Sequence, residues 1–84
     1  MKQVRVYTTK ICGYCVMAKR LLNSLDIAFE EIDVSHDYEA RQWLMTATGQ
    51  RTVPQIFIGE QSVGGYTELA ALNRDGRLVE AVTS

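Results

Sequence analysis

A chain of 84 residues, 46% of them hydrophobic and 23% charged, can bury one small core, and its net charge of −1 gives no global attraction for nucleic acid. No apolar run approaches the about 18 residues that a membrane-spanning helix needs. The opening Met1-Lys2-Gln3-Val4-Arg5-Val6 alternates polar with apolar residues and lacks the continuous apolar stretch of a secretory signal. The expectation is one domain over residues 1–84, monomeric and cytoplasmic, with no membrane and no nucleic-acid partner.

Val4, Val6 and Tyr7 predict a first strand, followed by the turn-prone Thr8-Thr9-Lys10. Val16, Met17, Leu21, Leu22 and Leu25 recur at helical spacing, which predicts a helix from about Gly13 with Cys12 at its N-terminus. Ala28–Val34 predicts a second strand, and a strand-helix-strand unit is normally a parallel, right-handed pair. Ser35 or Asp37 can cap a second helix that turns Ala40, Trp43, Leu44 and Ala47 inward and stops at Gly49. Gln55–Ile58 and Ser62–Gly64 predict a hairpin around Gly59-Glu60-Gln61. A helix over about Thr67–Asn73 follows, and Asp75-Gly76 separates it from a short one over Leu78–Val82. The fold class is therefore α/β, a four-stranded mixed sheet in the order β-α-β-α-β-β-α flanked by helices. With C-x-x-C at the start of the first helix, that order resembles the thioredoxin fold.

The chain has two cysteines, Cys12 and Cys15. A closed zinc site needs about four ligands, and only His36 could join them. A structural disulfide closing so short a loop removes little unfolded-state entropy. The pair therefore points to redox catalysis. The nucleophile in disulfide exchange is the thiolate, yet an unperturbed cysteine, with pKa about 8.5, is mostly protonated at neutral pH. A helix N-terminus and the nearby Lys10 both favour negative charge at Cys12. Cys15 lies almost one helical turn on, able to meet Cys12 but less open to solvent, which suits a resolving thiol.

Around the pair, Gly13 is read either as simple flexibility or as clearance for approach to the sulfur. Tyr14 reads as one wall of a substrate groove. Spacing alone predicts that Pro54 is a strand-start proline in a trans bond, with a cis Val53-Pro54 bond as the sharper alternative. Gly64-Gly65 before Tyr66-Thr67-Glu68 reads as a helix start capped by Thr67, whose free N–H groups could take a carboxylate. His36 reads as a solvated turn residue and Trp43 as a packing residue. Every charged residue from Asp26 to Glu39 is acidic, whereas Lys10, Lys19, Arg20, Arg41 and Arg51 lie elsewhere. Cations gathered near the cysteines would favour a small anionic substrate.

Taken together, Val6-Tyr7-Thr8, Cys12-Gly13-Tyr14-Cys15, Gly49, Arg51-Thr52-Val53-Pro54-Gln55-Ile56-Phe57-Ile58 and Gly64-Gly65 resemble a dithiol glutaredoxin along nearly the whole chain. The resemblance is to bacterial glutaredoxins of the glutaredoxin 3 type. It implies a cis bond before Pro54 and reduction of protein-glutathione mixed disulfides and protein disulfides by glutathione, with Cys12 attacking and Cys15 resolving. It also implies glutathione contacts at Lys10, Tyr14, Arg41, Thr52, Val53, Pro54, Gly65, Tyr66 and Thr67, Arg41 taking the glycine carboxylate and the helix start the γ-glutamyl end. Three positions depart from the family pattern. Gly13 replaces the usual proline, a change that in related proteins sometimes accompanies a [2Fe-2S] cluster ligated by the residue matching Cys12. Thr9 stands where the family lysine usually sits, and Thr67 brings a hydroxyl to the γ-glutamyl end.

Overall fold

The computed structural model describes residues 1–84, in the order β1 (Val4–Thr8), α1 (Gly13–Ser24), β2 (Glu30–Asp33), α2 (Tyr38–Thr48), β3 (Gln55–Ile58), β4 (Gln61–Gly64), α3 (Tyr66–Arg74) and α4 (Leu78–Thr83). The strands form one sheet ordered β2-β1-β3-β4; β1 and β2 are parallel and β3 and β4 an antiparallel hairpin, as the sequence predicts, and β1 and β3 pair antiparallel. Strand side chains alternate between faces. Val4 and Val6 of β1, with Ile56 and Ile58 paired across from them on β3, join Ala18, Leu22, Ile27, Leu69, Leu78 and Val82 in the larger apolar cluster. The opposite face gathers Tyr7, Phe57, Val34 and Leu44. Apolar side chains on both faces explain why every residue of β3 is buried.

Cys15, Ala18 and Leu22 form the buried stripe of α1. Val16 and Met17, expected to face inward, are instead exposed, Met17 to 43%. Each residue advances the helix by about 100°, so these two fall to the side of a stripe set by positions 15, 18 and 22. Leu21 and Leu25 flank the core as half-buried residues. The helix closes with Ile27 N–H bonded to Leu22 O (3.0 Å) and Asp26 N–H bonded to Asn23 O (3.1 Å), while Asp26 takes φ 55°.

Two candidates could cap α2, and Asp37 does so, its Oδ1 accepting the Ala40 N–H at 3.0 Å. The Ser35 hydroxyl instead accepts the Lys10 N–H at 2.8 Å. Only Leu44 of α2 is fully buried, and the expected inward face is corrected at Ala47, which is exposed, and at Trp43, which is 47% exposed. The cluster under α2 is small, so Trp43 closes its rim, with its ring 5.8 Å from Tyr7 and 5.7 Å from Phe57. β2 is shorter than its predicted Ala28–Val34 because it is an edge strand, paired only with Arg5–Thr8 of β1. β4 begins at Gln61, one residue before the expected start, so the hairpin turn is shorter than predicted.

A polar tie joins β1, β2 and α1. Thr8, buried at the end of β1, donates to Glu31 Oε2 at 2.8 Å, and Lys19 Nζ reaches the same oxygen at 3.0 Å. The Lys19 bond, then the Thr8 bond, holds the Glu31 carboxyl below its usual 4.5. The folded state thus binds fewer protons than the unfolded chain, so this contribution is full above pH 4.5 and lost as pH falls through the lowered value. Both side chains are partly solvated, which limits the contribution to about 1 kcal/mol. Unfolding midpoints measured from pH 7 down to pH 3 should show Glu31→Gln less stable than the parent chain at neutral pH and the gap closing in acid. A constant gap would mean that the ionised carboxylate is not what stabilises the tie.

Candidate active site

The turn after β1 delivers Cys12 in extended conformation (φ −152°, ψ 103°) as the N-cap of α1. Its Sγ takes the position a serine or aspartate oxygen often occupies, accepting the Cys15 N–H at 3.1 Å. One of the donors that a helix start leaves unpaired therefore points at sulfur, where it favours negative charge. Cys12 and Cys15 are joined as a disulfide, with Cα atoms 5.2 Å apart. Cys15 is 1% exposed and packed beneath, whereas Cys12 is half-buried. Of the two sulfurs, Cys12 is the one open to solvent. The space where a side chain at Gly13 would begin is open, with nothing within 4 Å.

The opposite wall is the segment before β3. Val53-Pro54 is a cis peptide, against the expectation from spacing alone and in line with the family resemblance. Val53 O lies 3.6 Å from Cys12 Sγ. Gln55, the first residue of β3, is fully buried and was read only as part of a strand. Its Nε2 donates to Thr52 O (2.8 Å) and Gln50 Oε1 (3.1 Å), tying down the loop that carries Thr52 and Val53. Its own Oε1 is buried without a hydrogen-bond partner. An amide in an otherwise apolar strand, directly after the sole proline, was the available signal.

The third wall is the start of α3. Here the expected cap is corrected: the helix begins at Tyr66 with Gly65 as N-cap, and Thr67 lies exposed inside the first turn. The Glu68 carboxylate reaches back to accept the Gly65 N–H at 2.7 Å. Gly65-x-x-Glu68 has the spacing of a capping box, a signal not used in reading the sequence. Gly64 sits at φ 113°, and a Cβ there would stand 2.7 Å from Glu68 Oε1. A Cβ on Gly65 would stand 3.4 Å from Pro54 O, so the glycine pair lets α3 start close against the proline segment. Tyr14 and Tyr66 complete the contact, their rings stacked at 6.1 Å and 23°.

The structure therefore brings together Cys12, Cys15, Tyr14, Val53, Pro54, Gly65 and Tyr66, with Thr52 and Thr67 at the margins. Arg41, with Ser35, His36, Tyr38, Gln42, Met45 and Arg51, lines a cleft of about 480 Å³ that adjoins the proline segment in sequence, Arg51 directly preceding Thr52. Lys10 is exposed, and its charge acts on Asp33. The Asp33 carboxyl is held below its usual 3.8 by the Ser35 hydroxyl first, then the Ser35 N–H, with Lys10 and His36 adding positive charge. Of the cations picked out in the sequence, Lys19 is paired with Glu31, Arg41 and Arg51 share the cleft, and Lys10 and Arg20 are exposed.

The glutaredoxin family profile matches residues 4–63. A glutaredoxin from Neisseria meningitidis is 47% identical over 79 residues, covering 93% of both chains. Glutaredoxin 3 of Escherichia coli is 40% identical over 78 residues, covering 93% of this chain and 94% of its own. Among solved structures, the buckwheat glutaredoxin-glutathione complex superposes with a TM-score of 0.90 at 33% identity, covering 98% of this chain and 77% of that one. A Brucella melitensis glutaredoxin gives 0.88 at 41% identity, covering 98% and 89%. The thioredoxin fold and the paired cysteines thus have one common explanation: the chain belongs to the glutaredoxin family, and its chemistry is thiol-disulfide oxidoreduction at Cys12 and Cys15.

Proposed function

We propose that this glutaredoxin reduces protein-glutathione mixed disulfides and protein disulfides with glutathione as the electron donor, acting as a monomeric domain over residues 1–84 in the cytoplasm, where glutathione keeps thiols reduced. No helix is long and apolar enough to cross a membrane. The observation that carries the reading is the asymmetry of the pair, an accessible Cys12 sulfur receiving a helix-start N–H above a buried Cys15.

In this reading the Cys12 thiolate attacks the glutathionyl sulfur of a mixed disulfide, and the protein thiolate departs and takes a proton. A second glutathione thiolate then attacks the glutathionyl sulfur on Cys12, giving glutathione disulfide and restoring the Cys12 thiolate. For a protein disulfide, Cys12 bonds to one substrate sulfur and Cys15 displaces it, leaving the Cys12-Cys15 disulfide for two glutathiones to reduce. Bound glutathione lies between the Tyr14-Tyr66 pair and the Thr52-Val53-Pro54 segment, its γ-glutamyl carboxylate toward Gly65, Tyr66 and Thr67 and its glycine carboxylate toward Arg41. Lys10 completes the proposed contact set. The buckwheat relative was solved as a complex with glutathione, which supports glutathione as the ligand. Because Glu68 already occupies the Gly65 N–H, fewer donors are left for the γ-glutamyl end than the helix start alone would offer.

A [2Fe-2S] centre does not fit the residues of one chain, in which no three His, Cys, Asp or Glu side chains are grouped to hold a metal. Cys12 would need a second copy and two glutathione thiols beside it.

The test is glutathione-dependent reduction of a glutathionylated peptide, followed as NADPH oxidation by glutathione reductase. Turnover with glutathione and little with thioredoxin reductase supports the proposal; the reverse preference overturns it. In the same assay Arg41→Ala should raise KM for glutathione through loss of a charge-assisted contact of at most about 1.5–3 kcal/mol, with kcat little changed. An unchanged KM would remove Arg41 from the site.

A further inference from the structure

The residue before the nucleophile is isoleucine, and it is 98% exposed. From that position it contributes nothing to either apolar cluster. Single exposed apolar residues are ordinary and carry no meaning alone. The position of Ile11 gives it one. Consecutive Cα atoms are about 3.8 Å apart, and cysteines joined by a disulfide have Cα atoms about 4.4–6.8 Å apart. A substrate cysteine bonded to Cys12 can therefore bring its own sequence neighbours within side-chain reach of Ile11. Tyr14 and Met17, three residues apart on α1 and both exposed, continue the apolar border on the helix.

We propose that Ile11 is a specificity-determining residue for protein disulfides, favouring substrate cysteines flanked by apolar side chains. The proposal rests on thiol-disulfide exchange at Cys12 and names the substrate class within it. In the selective step the Cys12 thiolate attacks one substrate sulfur, and the Cys12-substrate bond forms as the substrate S–S bond breaks. The departing sulfur leaves as a thiolate and takes a proton from water. The Cys15 thiolate then attacks the Cys12 sulfur and releases the second substrate thiolate. Two electrons have passed to the substrate, and the pair is left as its disulfide. Ile11 meets the polypeptide while the substrate is covalently held. With a glutathionylated substrate the glutathionyl sulfur bonds to Cys12 instead, and the polypeptide departs without ever being bonded there. Ile11 therefore separates the two substrate types.

The experiment supplies the full chain with glutathione, glutathione reductase and NADPH. It compares two disulfide-linked peptide homodimers, one with leucine and one with serine on both sides of the cysteine, and the mixed disulfide of glutathione with 2-mercaptoethanol. Each rate is normalised to uncatalysed exchange with glutathione. The leucine dimer should be preferred by about fivefold in kcat/KM, as expected for a partly solvated aliphatic contact. Ile11→Ser should bring that ratio close to one by slowing the leucine dimer alone, Ile11→Leu should keep it, and the small mixed disulfide should be unaffected by either substitution. Equal rates on the two dimers in the parent chain, or a ratio preserved in Ile11→Ser, would overturn the proposal. So would an equal loss on the small mixed disulfide, because Ile11 would then act on Cys12 and not on the substrate. Inactivity toward all three disulfides would sink the exchange reading as well, whereas activity without a leucine preference sinks this inference alone.

Discussion

Cys12→Ser should reduce every thiol-disulfide exchange by this chain to the uncatalysed background, while Cys15→Ser should keep glutathione-dependent deglutathionylation and lose only the intramolecular disulfide. The difference follows from geometry. A serine hydroxyl at position 12 stays protonated at neutral pH and cannot form a disulfide, and no other thiol can replace the lost one, since Cys15 is 1% exposed beneath it. At position 15 the group that favours charge on Cys12 is the backbone N–H, 3.1 Å from Sγ, and it does not depend on the side chain. Serine nearly matches cysteine in size, so the first turn of α1 is expected to keep its place. Reduction of a glutathionylated peptide coupled to glutathione reductase measures the outcome, and mass spectrometry of the Cys15→Ser protein should find glutathione on Cys12. Equal loss in both variants would mean that the second cysteine is needed to release glutathione, and the assigned division of labour would be wrong.

Period-two apolar residues make the central strands legible in the sequence. Val4 and Val6 must share a face, as must Ile56 and Ile58, and antiparallel pairing sets them opposite each other. Cys12 at a helix start was equally legible, because a helix from Gly13 leaves its donors pointing back at that residue. Less visible were features decided by contacts distant in sequence. Val16 and Met17 have the right hydrophobicity, but the burial of α1 is set by Ala18 and Leu22 against the sheet and α3. The trans preference before proline is about 0.5–1 kcal/mol, small enough that the fold and not local sequence decides the isomer at Pro54. Gln55 reads as a polar interruption until Thr52 O and Gln50 are seen to surround its amide. At α3 the hydroxyl of Thr67 suggested a cap, yet Gly65 takes that place because it can approach Pro54, and Glu68 supplies the oxygen. Arg41 was singled out by family likeness, and its cleft with Arg51 is a pairing that residues ten apart in sequence do not announce.

The same contrast within α1 yields a large stability effect. Leu22 is fully buried among Val4, Val6, Ile27, Ile56 and Leu69, whereas Met17, although similar in size and apolar character, is 43% exposed. Leu22→Ala should cost about 2–5 kcal/mol, the removed side chain leaving a cavity between helix and sheet. An 84-residue chain is expected to have a total stability of about 4–13 kcal/mol, so that single change removes a large part of it. Met17→Ala should stay within about 0.5 kcal/mol of the parent chain, since alanine favours the helix and little apolar area is lost. Urea unfolding of the reduced proteins, followed by circular dichroism, gives both values from the midpoints. Below its unfolding transition Leu22→Ala should still turn over glutathionylated peptide, because Leu22 lies ten residues along the chain from Cys12. If Met17→Ala proved as costly as Leu22→Ala, α1 would have to bury a stripe rotated from the one described. Cys15 would then no longer sit beneath Cys12, and the difference in exposure on which the proposed role of Cys12 rests would be lost with it.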